Sequence, residues 1–250
     1  MSLRPACALL LLLCPRAWSA STAEQGWPNT MTVHFVVHHQ AMHLPQGLLS
    51  DIEKAHQKIT HALWGMSSSI QGQKIDFYLY PTREKYLAGS FQPPPWSAGR
   101  SLAQGFPNRK LSLATYEGVR TELITHELTH LFLGAYWNRQ DRAPPLWLNE
   151  GLAVMMEGRS PKVADPIPFK ELFEKGPAED DPTARVTDWY TQSCSVVSFL
   201  LKGRSSARFK ILLDTLRDGA TLKEALRHSY GFYSIDEFEK AWKKWADEKK

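Results

Sequence analysis

Cysteine is scarce in this 250-residue chain, which holds only Cys7, Cys14 and Cys194. Two of the three lie in the first twenty positions, so a chain trimmed there keeps Cys194 alone and can form no intramolecular disulfide. That excludes the small disulfide-stapled class of exported domain. Cys194 itself sits in the apolar run Cys194-Ser-Val-Val-Ser-Phe-Leu200, where a buried structural thiol is expected. Long apolar runs are missing too. The nine residues Ala6 to Cys14 fall well short of the roughly 20 needed to cross a bilayer. Charge of one sign is not in excess: Lys and Arg number 30 against 26 Asp and Glu, a formal +4. Removing residues 1–20 takes away Arg4 and Arg16 and no acid, leaving +2. Such a balance gives no basis for a nucleic-acid partner. Internal repeats and low-complexity stretches are also absent, and the C-terminal lysines alternate with acids as on a solvated face.

The first twenty residues read as a secretory signal peptide. Arg4 gives a basic start, the apolar run follows, and Ala17-Trp-Ser-Ala20 ends it, with cleavage expected after Ser19 or Ala20. The expectation is export to the cell envelope, the periplasm or the exterior, with no membrane-spanning segment in the mature chain. A retained apolar anchor is the alternative. Lipid attachment at Cys14 is disfavoured because Leu13 stands where a small residue is needed.

What is present is ordinary globular material. A hydrophobic fraction of 43% with nine Trp, eight Tyr and eleven Phe can fill one compact domain or two small ones. Val33, Phe35 and Val37 alternate with polar neighbours, so residues 31–38 read as one strand with Met31 on the apolar side and His34 and His38 on the other. Residues 48–64 have helical periodicity, residues 74–80 form a second strand stopped by Pro81, and Thr82 caps a short helix. The Pro- and Gly-rich stretch 91–108 reads as a loop with a short strand at 100–103, and residues 109–114 alternate again. Beyond a turn-rich linker at 159–168, helices are expected at 169–174, 187–202, 205–217, 221–229 and 234–249. Strands first and helices later predict an α+β fold: a small mixed β-sheet with a helix over residues 121–136, then a helical C-terminal part. The layout is residues 1–20 as signal peptide, 21–158 as a mixed α/β half, and 159–250 as a helical half.

Chemistry concentrates in Thr121 to Tyr136, which contains His126-Glu-Leu-Thr-His130. On a helix, residues four apart share a face, so both imidazoles can hold one metal ion. Glu127 lies about 100° round the helix from His126, beside the metal, where a base acting on water belongs. Leu123, Ile124, Leu128, Leu131, Phe132 and Leu133 would seat this helix in a core. A catalytic zinc needs a third protein ligand and an open fourth position. Glu150, in Trp147-Leu-Asn-Glu150-Gly-Leu-Ala153, supplies it if the connection through Pro144 and Pro145 folds a second helix back on the first. His34, His38, His39 and His43 raise the idea of a second metal site. No acidic or sulfur partner follows at ligand spacing, so they read as polar residues on a half-exposed strand.

His126, Glu127, His130 and the Asn149-Glu150 pair resemble the gluzincin zinc metallopeptidases, with the spacing of thermolysin. The longer run from Thr121 to Glu157 is similar to the peptidase MA-like group of small, mostly bacterial, gluzincin domains. The resemblance implies one catalytic Zn2+ on His126, His130 and Glu150, with Glu127 as general base and a peptide or protein as substrate. It also implies a strand beside the zinc helix that binds extended substrate through its backbone. Either residues 100–103 or residues 109–114 could be that edge. Similar proteins carry a tyrosine on a helix after the glutamate ligand. This makes Tyr190 the candidate oxyanion donor, a core tyrosine being the alternative and His228 and Tyr230 further candidates. Two departures stand out. Thermolysin-like enzymes place an acid four positions after the glutamate ligand, and here that residue is Val154. Support for a histidine must then come from Glu122, Glu157 or a backbone carbonyl. The G-x-M-E-N exopeptidase motif of aminopeptidases is absent, which favours an endopeptidase or a peptidase of narrow specificity. The expected function is an exported zinc metallopeptidase. The alternatives are a non-catalytic zinc-containing binding module or a metal-dependent hydrolase of a cell-wall bond. Oligomeric state is not set by the sequence.

Overall fold

A computed structural model describes residues 24, 26–63, 65, 66, 70–104, 110–139, 141–159, 163, 165–178 and 181–248. The signal-peptide reading of residues 1–20 lies outside them. Five strands form one mixed sheet: β1 (Asn29–Met31), β2 (Phe35–His39), β3 (Ile75–Tyr80), β4 (Gly99–Gln104) and β5 (Lys110–Tyr116), in the order β1-β2-β3-β5-β4. The inner pairs β2/β3 and β3/β5 are parallel, and the flanking pairs β1/β2 and β4/β5 are antiparallel. Parallel neighbours need crossovers. These contain α1 (Leu48–Ala62) between β2 and β3, and α2 (Arg83–Ala88) between β3 and the β4/β5 pair. The Thr82 hydroxyl caps α2 by accepting from Lys85 N.

Both faces of the sheet are covered. Phe35, Val37, Ile75, Phe77, Leu79, Leu111 and Leu113 point into the main core, while Tyr78, Tyr80 and Ala114 meet Tyr86 and Phe91 on the other side. The main core is continuous with the later helices: α3 (Thr121–Trp137), α4 (Leu146–Met156), α5 (Phe169–Glu174), α6 (Thr183–Leu201), α7 (Ser206–Arg217), α8 (Leu222–Tyr230) and α9 (Ile235–Asp247). The caps of the last three are legible locally. Ser205, Thr221 and Ser234 each accept from the backbone three residues on, and Thr221 with Glu224 forms a capping box.

The single strand expected over residues 31–38 is instead a hairpin. Thr32 N donates to Phe35 O and Phe35 N donates to the Thr32 hydroxyl, which closes a turn. Met31 and Val33 are 67% and 76% exposed, whereas Phe35 and Val37 are fully buried. A side chain that satisfies its own backbone outcompetes strand continuation here. The histidines acquire carboxylates from other elements. His34 Nδ1 pairs with Glu53 of α1 at 2.6 Å and stacks on His56, and His38 Nε2 pairs with Asp76 of β3 at 2.7 Å. Among the described residues these histidines join no group of three metal-ligating side chains.

Helix α3 is held on several sides. Nearly every residue of it from Ile124 to Trp137 is buried, because α1, the sheet and α4 all pack on it. Among the described strands β4 is one edge of the sheet, β1 being the other, and β4 lies alongside α3. Residues 99–104, not 110–116, are therefore the edge next to that helix.

Candidate metal centre

Helix α3 ends on Asn138 in the left-handed conformation (φ 40°), and α4 starts directly after Pro145. Proline before a first helical turn keeps the preceding chain extended and costs no helical hydrogen bond. The two helices pack together, and this brings Glu150 back beside the paired imidazoles. His126 Nε2 is 3.5 Å from Glu150 Oε2, and His130 Nε2 is 3.8 Å from Glu150 Oε1. One ligand atom from each of the three residues falls within 4.8 Å of the others.

The fit to a metal can be tested on polar satisfaction. Glu150 is fully buried, and neither of its carboxylate oxygens nor His130 Nε2 has a hydrogen-bond partner among the described residues. A buried carboxylate left without partners is costly, and most such groups in native proteins are paired or ligate a cation. A tetrahedral ion with bonds of about 2.0–2.2 Å would separate its ligands by about 3.3–3.6 Å. The observed His–Glu separations lie close to that. The His126 imidazole is pushed up to about 10: burial works against its charge, but Glu150 and Glu157 outweigh it. The same carboxylates that favour a proton there favour a metal cation.

Each imidazole is held from behind. With Nε2 facing the ligand cluster, His126 Nδ1 donates to Glu157 Oε1 at 2.6 Å and His130 Nδ1 donates to Asn149 Oδ1 at 2.9 Å. Both acceptors ride on or just after α4, so one helix supplies a candidate ligand and both supports. Glu157 occupies the helix C-cap, seven residues after Glu150, and takes the role that Val154 cannot. Glu122 is not the support. It is half-exposed and pairs with Arg120 at 3.3 Å.

Glu127 is buried beneath the start of β4. A Cβ added to Gly99 would lie 2.8 Å from Glu127 Cγ, so the strand approaches the carboxylate as closely as a backbone without a side chain allows. Helix α6 packs against α4 next to the site. Gly151, next to Glu150, faces the Ser193 carbonyl and the Val197 side chain with no room for a Cβ. Tyr190 precedes Ser193 by three residues and Val197 by seven, which sets all three on one stripe of α6. It is half-buried against the main core, with Trp189 edge-on at 5.2 Å.

The other two tyrosine and histidine candidates are elsewhere. Tyr230 is buried in the core with its hydroxyl donating to Leu200 O at 2.9 Å, and His228 is exposed on α8. Cys194 is buried, which pushes its thiol up to about 11. Sequence reasoning did not find Gly99, Gly151 or Arg159, whose guanidinium holds Glu157 at 2.6 Å. The only local signal was the apolar Val154, which showed that support had to come from elsewhere.

No curated protein matches this chain. The family model described as the peptidase MA superfamily matches residues 57–248, from α1 through the two helices of the metal centre to the end of α9. That span is most of the sequence, and the chain belongs to the peptidase MA superfamily.

Proposed function

We propose that this is an exported zinc-dependent peptidase of the gluzincin type, with His126, His130 and Glu150 as metal ligands. A bound zinc supplies Lewis acidity toward the scissile carbonyl and lowers the pKa of the attacking water. Glu127 accepts the water's proton and returns it to the leaving amine. Its burial suits this task, since a carboxylate shielded from bulk solvent exchanges its proton with the reactants. The side of β4 that no described strand pairs would offer backbone N–H and C=O groups to an extended peptide running past Glu127. The Tyr190 hydroxyl donates to the oxyanion of the tetrahedral intermediate. The signal-like residues 1–20 support export.

The observation that carries this reading is the convergence of one ligand atom each from His126, His130 and Glu150, with both Glu150 oxygens buried and lacking a hydrogen-bond partner among the described residues, beside a second buried glutamate. A purely structural site has no use for Glu127. The test is Glu127→Gln, which keeps the side chain's shape and removes the base. It should retain wild-type zinc content and lose at least about a hundredfold in kcat on a peptide library. A variant that cleaves as fast as wild type sinks the mechanism. A wild-type protein that holds zinc and cleaves no peptide would leave a zinc-containing binding module in its place.

A further inference from the structure

Glu157 is the carboxylate that holds His126, yet it lies beyond the last residue of α4, where a side chain is poorly fixed by its own helix. The chain turns sharply after it. Gly158 adopts φ +93° and donates from N to Met155 O at 3.1 Å. That left-handed turn is open to glycine at little cost. It folds Arg159 back so that its Nε meets Glu157 Oε2 at 2.6 Å. The Arg159 carbonyl in turn accepts a long, weak contact from the Cys194 thiol of α6 at 3.9 Å. A line of contacts therefore runs from solvent to the metal site: guanidinium, carboxylate, imidazole Nδ1, imidazole Nε2. The Arg159 side chain is 53% exposed, whereas that of Glu157 is only 7% exposed.

We propose that Arg159 is a positioning residue for the metal centre: it fixes the Glu157 carboxylate that orients His126, and so sets the site's affinity for zinc. His130 has no such arrangement, since its support is the neutral Asn149 amide. The two ligand imidazoles are thus held unequally, one through an ionic relay that reaches the surface and one through a partly buried neutral amide. Because Glu157 is sequestered, its second oxygen needs a cationic partner to keep one rotamer, and Arg159 provides it through an Nε contact whose planar, always-charged guanidinium lysine lacks. Loss of such outer partners typically weakens metal binding about 10- to 100-fold. The inference rests on the zinc reading of the site but not on peptide hydrolysis.

The experiment is zinc affinity by competition with a chromophoric chelator, on the full chain, for wild type, Arg159→Met, Arg159→Lys, Glu157→Gln and the Glu157→Gln/Arg159→Met pair. Arg159→Met should weaken zinc binding about tenfold, and Arg159→Lys should restore part of the loss. In the Glu157→Gln background the arginine substitution should change affinity less than about twofold, because its effect passes through Glu157. The visible absorption of the cobalt-loaded protein should change in Arg159→Met, a signature that a merely stabilising surface pair would not produce. Direct repulsion between a guanidinium and a metal cation acts with the opposite sign. Unchanged or tighter binding in Arg159→Met, or an equal loss in both backgrounds, overturns the inference. A wild-type chain that takes up no zinc overturns the metal reading itself, so the two failures are distinguishable.

Discussion

Replacing Gly99 with alanine would put a methyl group 2.8 Å from Glu127 Cγ and 3.3 Å from both its Cδ and Oε1. Ordinary carbon contacts begin near 3.5 Å, so something must yield by about 0.7 Å. Strand β4 is paired to β5 through six residue positions, from Gly99↔Thr115 to Gln104↔Lys110, and resists moving as a unit. The Glu127 side chain is the softer partner, although it too is buried. A displacement approaching 1 Å in a catalytic group costs up to about a hundredfold in rate. Gly99→Ala should therefore lower kcat between about tenfold and a hundredfold. Zinc affinity should stay unchanged, because the three atoms nearest the new methyl all belong to Glu127, which is not a metal ligand. Overpacking should also cost about 1–3 kcal/mol of stability. The control is Gly134→Ala on α3, where among the described residues a Cβ meets only Ala103 Cβ at an ordinary 3.8 Å. That change should be neutral in rate and stabilise by about 0.5–1 kcal/mol, as glycine is a poor helix former. Steady-state kinetics on a fluorogenic peptide, with thermal melts of both variants, decide the matter. If Gly99→Ala keeps kcat within twofold of wild type, Glu127 is either not the base or not held where the structure holds it.

Tyr190→Phe should lower kcat roughly 10²- to 10³-fold, the typical cost of one oxyanion donor. KM and zinc content should be nearly unchanged; a rate within threefold of wild type would make Tyr190 a boundary residue of α6 and no more. A separate prediction concerns acid. Burial opposes the Glu53 charge, but the His34 ring and the Thr32 hydroxyl outweigh it and hold Glu53 down at about 2, against an ordinary 4.5. Burial, helped by His34, pushes His56 down to about 4 from 6.5. A depressed carboxylate contributes stability above its unfolded pKa and loses it as pH falls through the folded value. A depressed histidine likewise contributes fully above 6.5 and loses this as pH falls through 4. Stability should thus decline from pH 6.5 downward, with His56 accounting for at most about 3 kcal/mol. In His56→Leu the dependence between pH 6.5 and 4 should flatten in urea titrations; curves parallel to wild type would refute the assignment.

The parts of this molecule that are legible in its sequence are those with short-range rules. Helical periodicity is local, so the shared face of His126 and His130 comes from spacing alone. Serine and threonine caps likewise announce α7, α8 and α9. Glu150 was reachable because a proline-bounded connection between two strongly apolar helices admits few arrangements. Contacts between distant segments were not legible. Nothing near Gly99 indicates that residue 127 packs on it, and which of two candidate strands lies at the edge depends on the order in which the sheet assembles. Alternation misled at residues 31–38, where the Thr32 hydroxyl replaces a strand hydrogen bond and turns the chain. Val154 showed that a support was missing, and only the turn at Gly158 reveals how Glu157 and Arg159 restore it.

The near-touching backbones at Gly151 bear on how the molecule can be re-engineered. Because the residue after Glu150 abuts the main chain of α6, the carboxylate's seat depends on that helix as well as on α3 and α4. A minimal catalytic fragment ending at α4 would lose that abutment. Chimeras that exchange the helical half between relatives should keep both the glycine and its facing segment, residues 190–197, as a single module.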